Sequence, residues 1–155
     1  MILYHSSTEG VGYPDLNHSR KYLDFGRGFY LTTLKDQAIK YADRFKLRGL
    51  PSFLNVYEFS DDWSELNVLT FDSYNSEWLD FVGRCRAGED VSVYDVVQGG
   101  IANDKIFRTI DLYFAGDITR EDALKKLKME IPNHQICLRT VKALSLLTFV
   151  ESKRL

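Results

Sequence analysis

A breaker-rich stretch over residues 8–26 separates two short apolar runs, and it constrains the fold more than any other feature of the chain. Gly10, Gly12, Pro14, Asp15 and Asn17 interrupt any regular element there. The runs on either side, Ile2-Leu3-Tyr4 and Phe29-Tyr30-Leu31-Thr32, are too short for helices and read as strands. A connection of that length is uncommon in a small domain and is often functional. It sets His5, at the end of the first run, and Tyr30, within the second, on either side of one loop. An imidazole offers a directional hydrogen bond, a phenol ring offers a stacking face, and Gly26 and Gly28 let main-chain amides come close. The combination suits a flat, charged, nucleotide-like ligand. A plain core strand is the competing reading, because aromatic residues beside glycine are ordinary there.

The rest of the chain alternates short strands with short helices. Thr33 and Asp36 read as a capping pair for a helix with Ala38, Ile39, Ala42 and Phe45 on one face. Strands are expected over 53–59 and 67–71, with Asp61, Asp62 and Ser64 turning between them. A helix over 77–86 groups Trp78, Phe81, Val82 and Cys85. Residues 94–97 read as a buried strand stopped by Gly99-Gly100, and 103–115 are ambiguous with Ile106, Ile110 and Phe114 at helical spacing. Thr119 and Asp122 start a further helix, Pro132 ends that segment, and strands follow over 135–139 and 146–151. Mixed elements of this kind argue for an α+β domain rather than a parallel βαβ sheet. At 155 residues the chain is expected to form one domain, residues 1–155, with a core that needs neither disulfides nor metal.

Charge and composition exclude several classes. A net charge of −2 gives no global field toward nucleic acid or an anionic membrane. Arg44, Lys46 and Arg48 form a local basic cluster that reads first as a solvated face. Cys85 and Cys137 form no Cys-x-x-Cys and fit two thiols in a reducing compartment. His5, His18 and His134 lack metal-ligand spacing, so no metal site is expected. Gly26-Arg27-Gly28 is only half of a dinucleotide fingerprint and precedes a strand, and no phosphate-binding P-loop is present. The first residues carry no leader pattern and no apolar run is long enough to span a membrane, so a cytoplasmic protein with no membrane partner is expected.

Three segments together resemble a known family: Leu3-Tyr4-His5-Ser6-Ser7, Asp24-Phe25-Gly26-Arg27-Gly28-Phe29-Tyr30-Leu31-Thr32, and Asn133-His134-Gln135-Ile136. They are similar to the ADP-ribosyltransferase superfamily, and closest to a group of small bacterial domains with a His-Tyr-Gln pattern. Tyr94-Asp95-Val96-Val97 and Ala102-Asn103-Asp104 extend the resemblance over most of the chain. It implies two small, packed, mainly antiparallel sheets with short flanking helices and NAD in the cleft between the sheets. It also implies transfer of ADP-ribose from NAD to a macromolecular acceptor, protein or nucleic acid, with nicotinamide released. A bacterial toxin or conflict-system effector with a cognate antitoxin is the matching biological setting.

The resemblance assigns roles residue by residue. His5 would anchor the adenosine side of NAD, and Ser6 would offer main-chain groups to the nicotinamide carboxamide. Tyr30 would stack the nicotinamide, with Gly28 allowing close approach. Arg20, inside the long loop, would face the diphosphate, for which a guanidinium fork is suited. Arg27 is the other guanidinium of that segment. Asn103 and Asp104 are expected on the cofactor side, Asp104 orienting the loop that lines the cleft, although a turn or helix cap accounts for them equally well. Gln135 occupies the slot where relatives carry an acid. An amide can hydrogen-bond a ribose hydroxyl but cannot act as a base or balance a cation-like ribosyl centre. Glu130 is the nearest upstream carboxylate. A non-catalytic NAD or ADP-ribose-binding module and an NAD glycohydrolase therefore stand beside the transferase.

Overall fold

The structure, a computed structural model, describes residues 1–19, 22–89, 93–100, 102, 104–130 and 133–155. Its strands are β1 (Ile2–Ser7), β2 (Phe29–Leu31), β3 (Phe53–Phe59), β4 (Val68–Thr70), β5 (Val96–Gly99), β6 (Gln135–Leu138) and β7 (Leu147–Arg154). Its helices are α1 (Lys35–Lys46), α2 (Ser76–Arg86), α3 (Asp104–Phe114), α4 (Arg120–Lys128) and α5 (Val141–Leu144). The chain is thus a mixed α+β fold, with a three-stranded sheet ordered β1-β3-β7 and a four-stranded sheet ordered β2-β6-β5-β4.

Alternation along the strands explains the layering. Leu3, Tyr57 and Phe59 of the first sheet meet Phe29, Leu31, Val96, Ile136 and Leu138 of the second in one buried cluster. The opposite face of the second sheet carries Val97 and Cys137, covered by Trp78, Leu79 and Val82 of α2, Ile106 and Ile110 of α3, and Leu127 of α4. Each fully buried aliphatic side chain contributes about 1.5–3 kcal/mol relative to exposure. On the far side of the first sheet lies α1, where Ala38 and Ala42 are buried and the Ser6 hydroxyl donates to the Ala38 carbonyl. The order of layers is α1, sheet, sheet, helices.

Several expectations change at the level of elements. The Thr33–Asp36 capping pair does not form: α1 begins at Lys35 with Leu34 as its N-cap and no side-chain cap. A tertiary contact takes the Thr33 hydroxyl instead, its Oγ1 meeting His134 Nδ1 (3.1 Å), while Thr32 Oγ1 makes a local bond, accepting from Leu34 N (3.0 Å). The strand expected over 94–97 runs over 96–99, so Gly99 lies inside it. A Cβ there would sit 3.0 Å from Phe71 Cβ, which makes the glycine a close-approach residue rather than a stop. One strand pair, β4 with β5, is parallel and is joined through α2, so the sheets are not wholly antiparallel. Residues 104–114 resolve as helix, α5 adds a short turn capped by Thr140, and β7 runs on to Arg154. Pro132 lies outside the described residues.

Candidate functional site

The two sheets touch along β1 and β2 and then part. Tyr4 and Thr32 exchange both main-chain hydrogen bonds, at 2.8 and 3.0 Å, as an isolated antiparallel bridge. One more step of that pairing would set Ser6 against Tyr30. Instead the His5 side chain enters the gap, and its Nδ1 lies 2.7 Å from the Tyr30 carbonyl oxygen. Main-chain groups of alternate residues face the same strand edge, so those of Ser6 are left at the open edge of β1 beyond the bridge. The Ser6 hydroxyl, held by α1, is committed elsewhere.

A carbonyl only accepts, so His5 Nδ1 carries a hydrogen and the neutral ring presents Nε2 as an acceptor. Burial pushes the His5 imidazole below its ordinary range, against a smaller opposing pull from the Tyr30 carbonyl. Its ring also packs on Phe29, with centroids 4.5 Å apart. Asn55, wholly buried, steadies this region: its Nδ2 donates to the His5 carbonyl (3.2 Å) and to Ser7 Oγ (2.8 Å).

Tyr30 lies opposite Cys137 in the β2–β6 pairing, so its side chain shares a face with Cys137 and, two residues along, with Gln135. Its hydroxyl donates to the Gly26 carbonyl and accepts from Phe25 N (3.2 Å). Burial holds the phenol well above its usual range, so it stays un-ionised, and its ring packs on the helix-covered core while staying partly exposed. Gly28 is buried, and a Cβ on it would fall 2.3 Å from Cys137 Sγ and 2.8 Å from the Leu138 carbonyl oxygen. That glycine serves the close packing of the β2 approach on β6. Both thiols are free and buried, which raises Cys85 to about 11 and Cys137 to about 12.

Gln135 opens β6 and pairs with Gly99 of β5. Extending the β2–β6 register by one residue sets it opposite Thr32, the residue that bridges to Tyr4. Thus His5, the Ser6 main chain, Tyr30 and Gln135 gather where β1, β2 and β6 converge. Asp104 is the first residue of α3. Arg20 and Asn103 lie outside the described residues. Arg27 is exposed. Glu130, largely buried, is engaged by Lys105 Nζ at 2.8 Å.

Sequence reasoning missed three ties in this region. Asp24 pairs with Arg86 Nε at 3.0 Å and accepts from Ala102 N at 3.3 Å, with both side chains mostly buried. This fixes the distal end of the long loop to α2 and to the approach of α3. Near its start, Val11 N donates to Asn55 Oδ1 (2.9 Å), and the Val11 carbonyl accepts from Tyr57 Oη (2.7 Å). Finally, Gln37 of α1 bonds both main-chain groups of His134. Single polar residues inside apolar runs are the only sequence trace of such ties, and Asn55 within Phe53–Phe59 is the clearest.

Among the described residues the site offers neutral groups: an imidazole acceptor, an aromatic ring, open main-chain groups and a carboxamide. Such a set recognises a polar, planar ligand by hydrogen bonds and stacking. A shallow surface depression on α3, lined by Phe107, Arg108, Asp111 and Leu112, shares no residue with it. Among the described residues, no group of three or more His, Cys, Asp or Glu is placed to hold a metal ion, and no helix is long and apolar enough to cross a membrane.

Fold and site together define a mixed α+β domain whose two sheets splay around a neutral, hydrogen-bonding junction. Residues 1–149 match the family described as "Protein of unknown function (DUF3990)", and the chain belongs to that family. No curated protein and no solved structure matches the chain.

Proposed function

We propose that the chain has an ADP-ribosyltransferase-like fold, binds NAD at the β1–β2–β6 junction and transfers ADP-ribose to a macromolecular acceptor. The observation that supports this reading most is the splayed β1–β2 junction. There the His5 ring is fixed on the Tyr30 carbonyl with Nε2 as acceptor, and the Ser6 main chain is left at the open strand edge beyond the Tyr4–Thr32 bridge. In this reading His5 Nε2 accepts from a ribose hydroxyl on the adenosine side. The Ser6 main chain takes the nicotinamide carboxamide, Tyr30 stacks the nicotinamide, and Gln135 bonds a hydroxyl of the nicotinamide ribose. The bond from that ribose to nicotinamide breaks with its electron pair leaving on nicotinamide. A lone pair of the acceptor forms the new bond at the same carbon, and the acceptor's proton passes to solvent. The loop over residues 8–26, tied at Val11 and Asp24, covers the bound cofactor. In a bacterial conflict setting, a cognate antitoxin would act by masking this junction.

A second reading is favoured by one residue. Gln135 supplies no charge to stabilise the cation-like ribosyl centre, which suits a module that binds NAD or ADP-ribose without turnover, or a glycohydrolase that uses water. Incubation with NAD labelled on the adenylate, in a bacterial lysate, separates the three. Label fixed in a protease- or nuclease-sensitive fraction, lost on Tyr30→Ala, supports the transferase and names its acceptor class. Nicotinamide release without fixed label points to hydrolysis, and binding without release points to the module.

A further inference from the structure

The carboxamide of Gln37, in the first turn of α1, reaches across to the segment entering β6. Its Nε2 donates to the His134 carbonyl (2.9 Å) and its Oε1 accepts from His134 N (3.3 Å), the pattern of a main-chain bridge made by a side chain. Thr33, just before α1, adds a third tie from Oγ1 to His134 Nδ1 at 3.1 Å. All three act on the residue immediately before Gln135. Gln135 itself pairs with Gly99 of β5, a strand partner with no side chain.

A residue whose N–H and C=O are both held by one rigid amide has little freedom in its own dihedrals. The direction of the next side chain is then largely set. We propose that Gln37 is a positioning residue that aims Gln135, so that α1 sets the geometry of the β6 edge of the site. The proposal rests on the NAD reading given above. It separates two roles within one site. His5 and Tyr30, which Gln37 does not touch, hold the cofactor, whereas the Gln37–His134 clasp governs the group beside the reacting ribose.

The test compares wild type with Gln37→Met, which keeps length and helix preference but makes neither hydrogen bond. Gln37→Glu, which keeps only the acceptor, is the second variant. The readouts are NAD affinity, the rate of nicotinamide release, the melting temperature, and exchange of the His134 amide hydrogen. Gln37→Met is expected to slow release roughly ten- to a hundredfold with NAD affinity held within about twofold. His134 exchange should speed up while the melting temperature changes little, and Gln37→Glu should fall between the two proteins. Unchanged release, or equal loss of affinity and release, in a folded variant overturns the positioning role while leaving NAD chemistry intact. Wild-type protein that neither binds NAD nor releases nicotinamide overturns the NAD reading, and the proposed aim of Gln135 with it.

Discussion

Tyr30 divides its work between two ends of one side chain. The hydroxyl ties the Phe25–Gly26 turn, and the partly exposed ring packs on the helix-covered core of the second sheet. Tyr30→Phe should therefore lower stability by about 0.5–1.5 kcal/mol, the net worth of such a hydrogen bond, while keeping NAD affinity within a few-fold. Denaturant melts and a binding titration on the same variant check both halves. Gln135 carries the opposite kind of prediction, a gain. If an uncharged amide limits bond cleavage, Gln135→Glu should raise nicotinamide release by at least about tenfold, equivalent to about 1.4 kcal/mol of transition-state stabilisation. Steady-state release assays decide it, and an unchanged or lower rate shows that the missing charge is not limiting.

At the scale of elements, Asn55 shows how a strand serves the loop beside it. It is fully buried in β3, and its amide bonds the main chain at His5 and Val11 and the hydroxyl of Ser7. Asn55→Ala leaves buried groups unpaired and should cost about 2–3 kcal/mol, a fall of roughly 5–10 °C in Tm for a chain of this size. Faster proteolysis within residues 8–26 should accompany it. Local pattern was a good guide where packing agrees with it: β1, β3, α2 and α4 stand close to where alternation, helical spacing and the Thr119 cap put them. It failed where a partner distant in sequence claimed the same atoms. Thr33 reads as a cap and spends its hydroxyl on His134, 101 residues away. Gly99 reads as a stop and is a strand residue pressed against Phe71. The parallel β4–β5 pair is set by the α2 crossover, which no local pattern reports. The site shows the same split. Resemblance singled out His5, Tyr30 and Gln135, which lie on β1, β2 and β6, whereas the ties made by Asp24 and Gln37 join distant segments and Asn55 left only the trace of a polar residue inside an apolar run.

For the whole molecule, His5 and His134 shift in the same direction. Burial lowers both His5 and His134, so the folded protein binds fewer protons than the unfolded chain below about pH 6.5. Their contribution to stability is present above that pH and is lost as pH falls through the depressed folded values. Exposed His18, raised by Asp15, opposes this only weakly. Stability should drop between pH 7.5 and 5 with a slope of at most about 1.4 kcal/mol per pH unit for each buried histidine. His5→Gln should flatten that slope in pH-dependent melts. Cofactor affinity should decline over the same window, because a protonated His5 has no acceptor nitrogen left to offer.

The central claim is that the splayed β1–β2 junction is an NAD site. Calorimetric titration of purified protein with NAD, in parallel with Tyr30→Ala, tests it most directly. Saturable binding that weakens by about 5- to 150-fold in Tyr30→Ala, as expected for loss of about 1–3 kcal/mol of stacking, is the predicted result. No heat with wild-type protein at millimolar NAD, or equal affinity for the two proteins, would contradict the account.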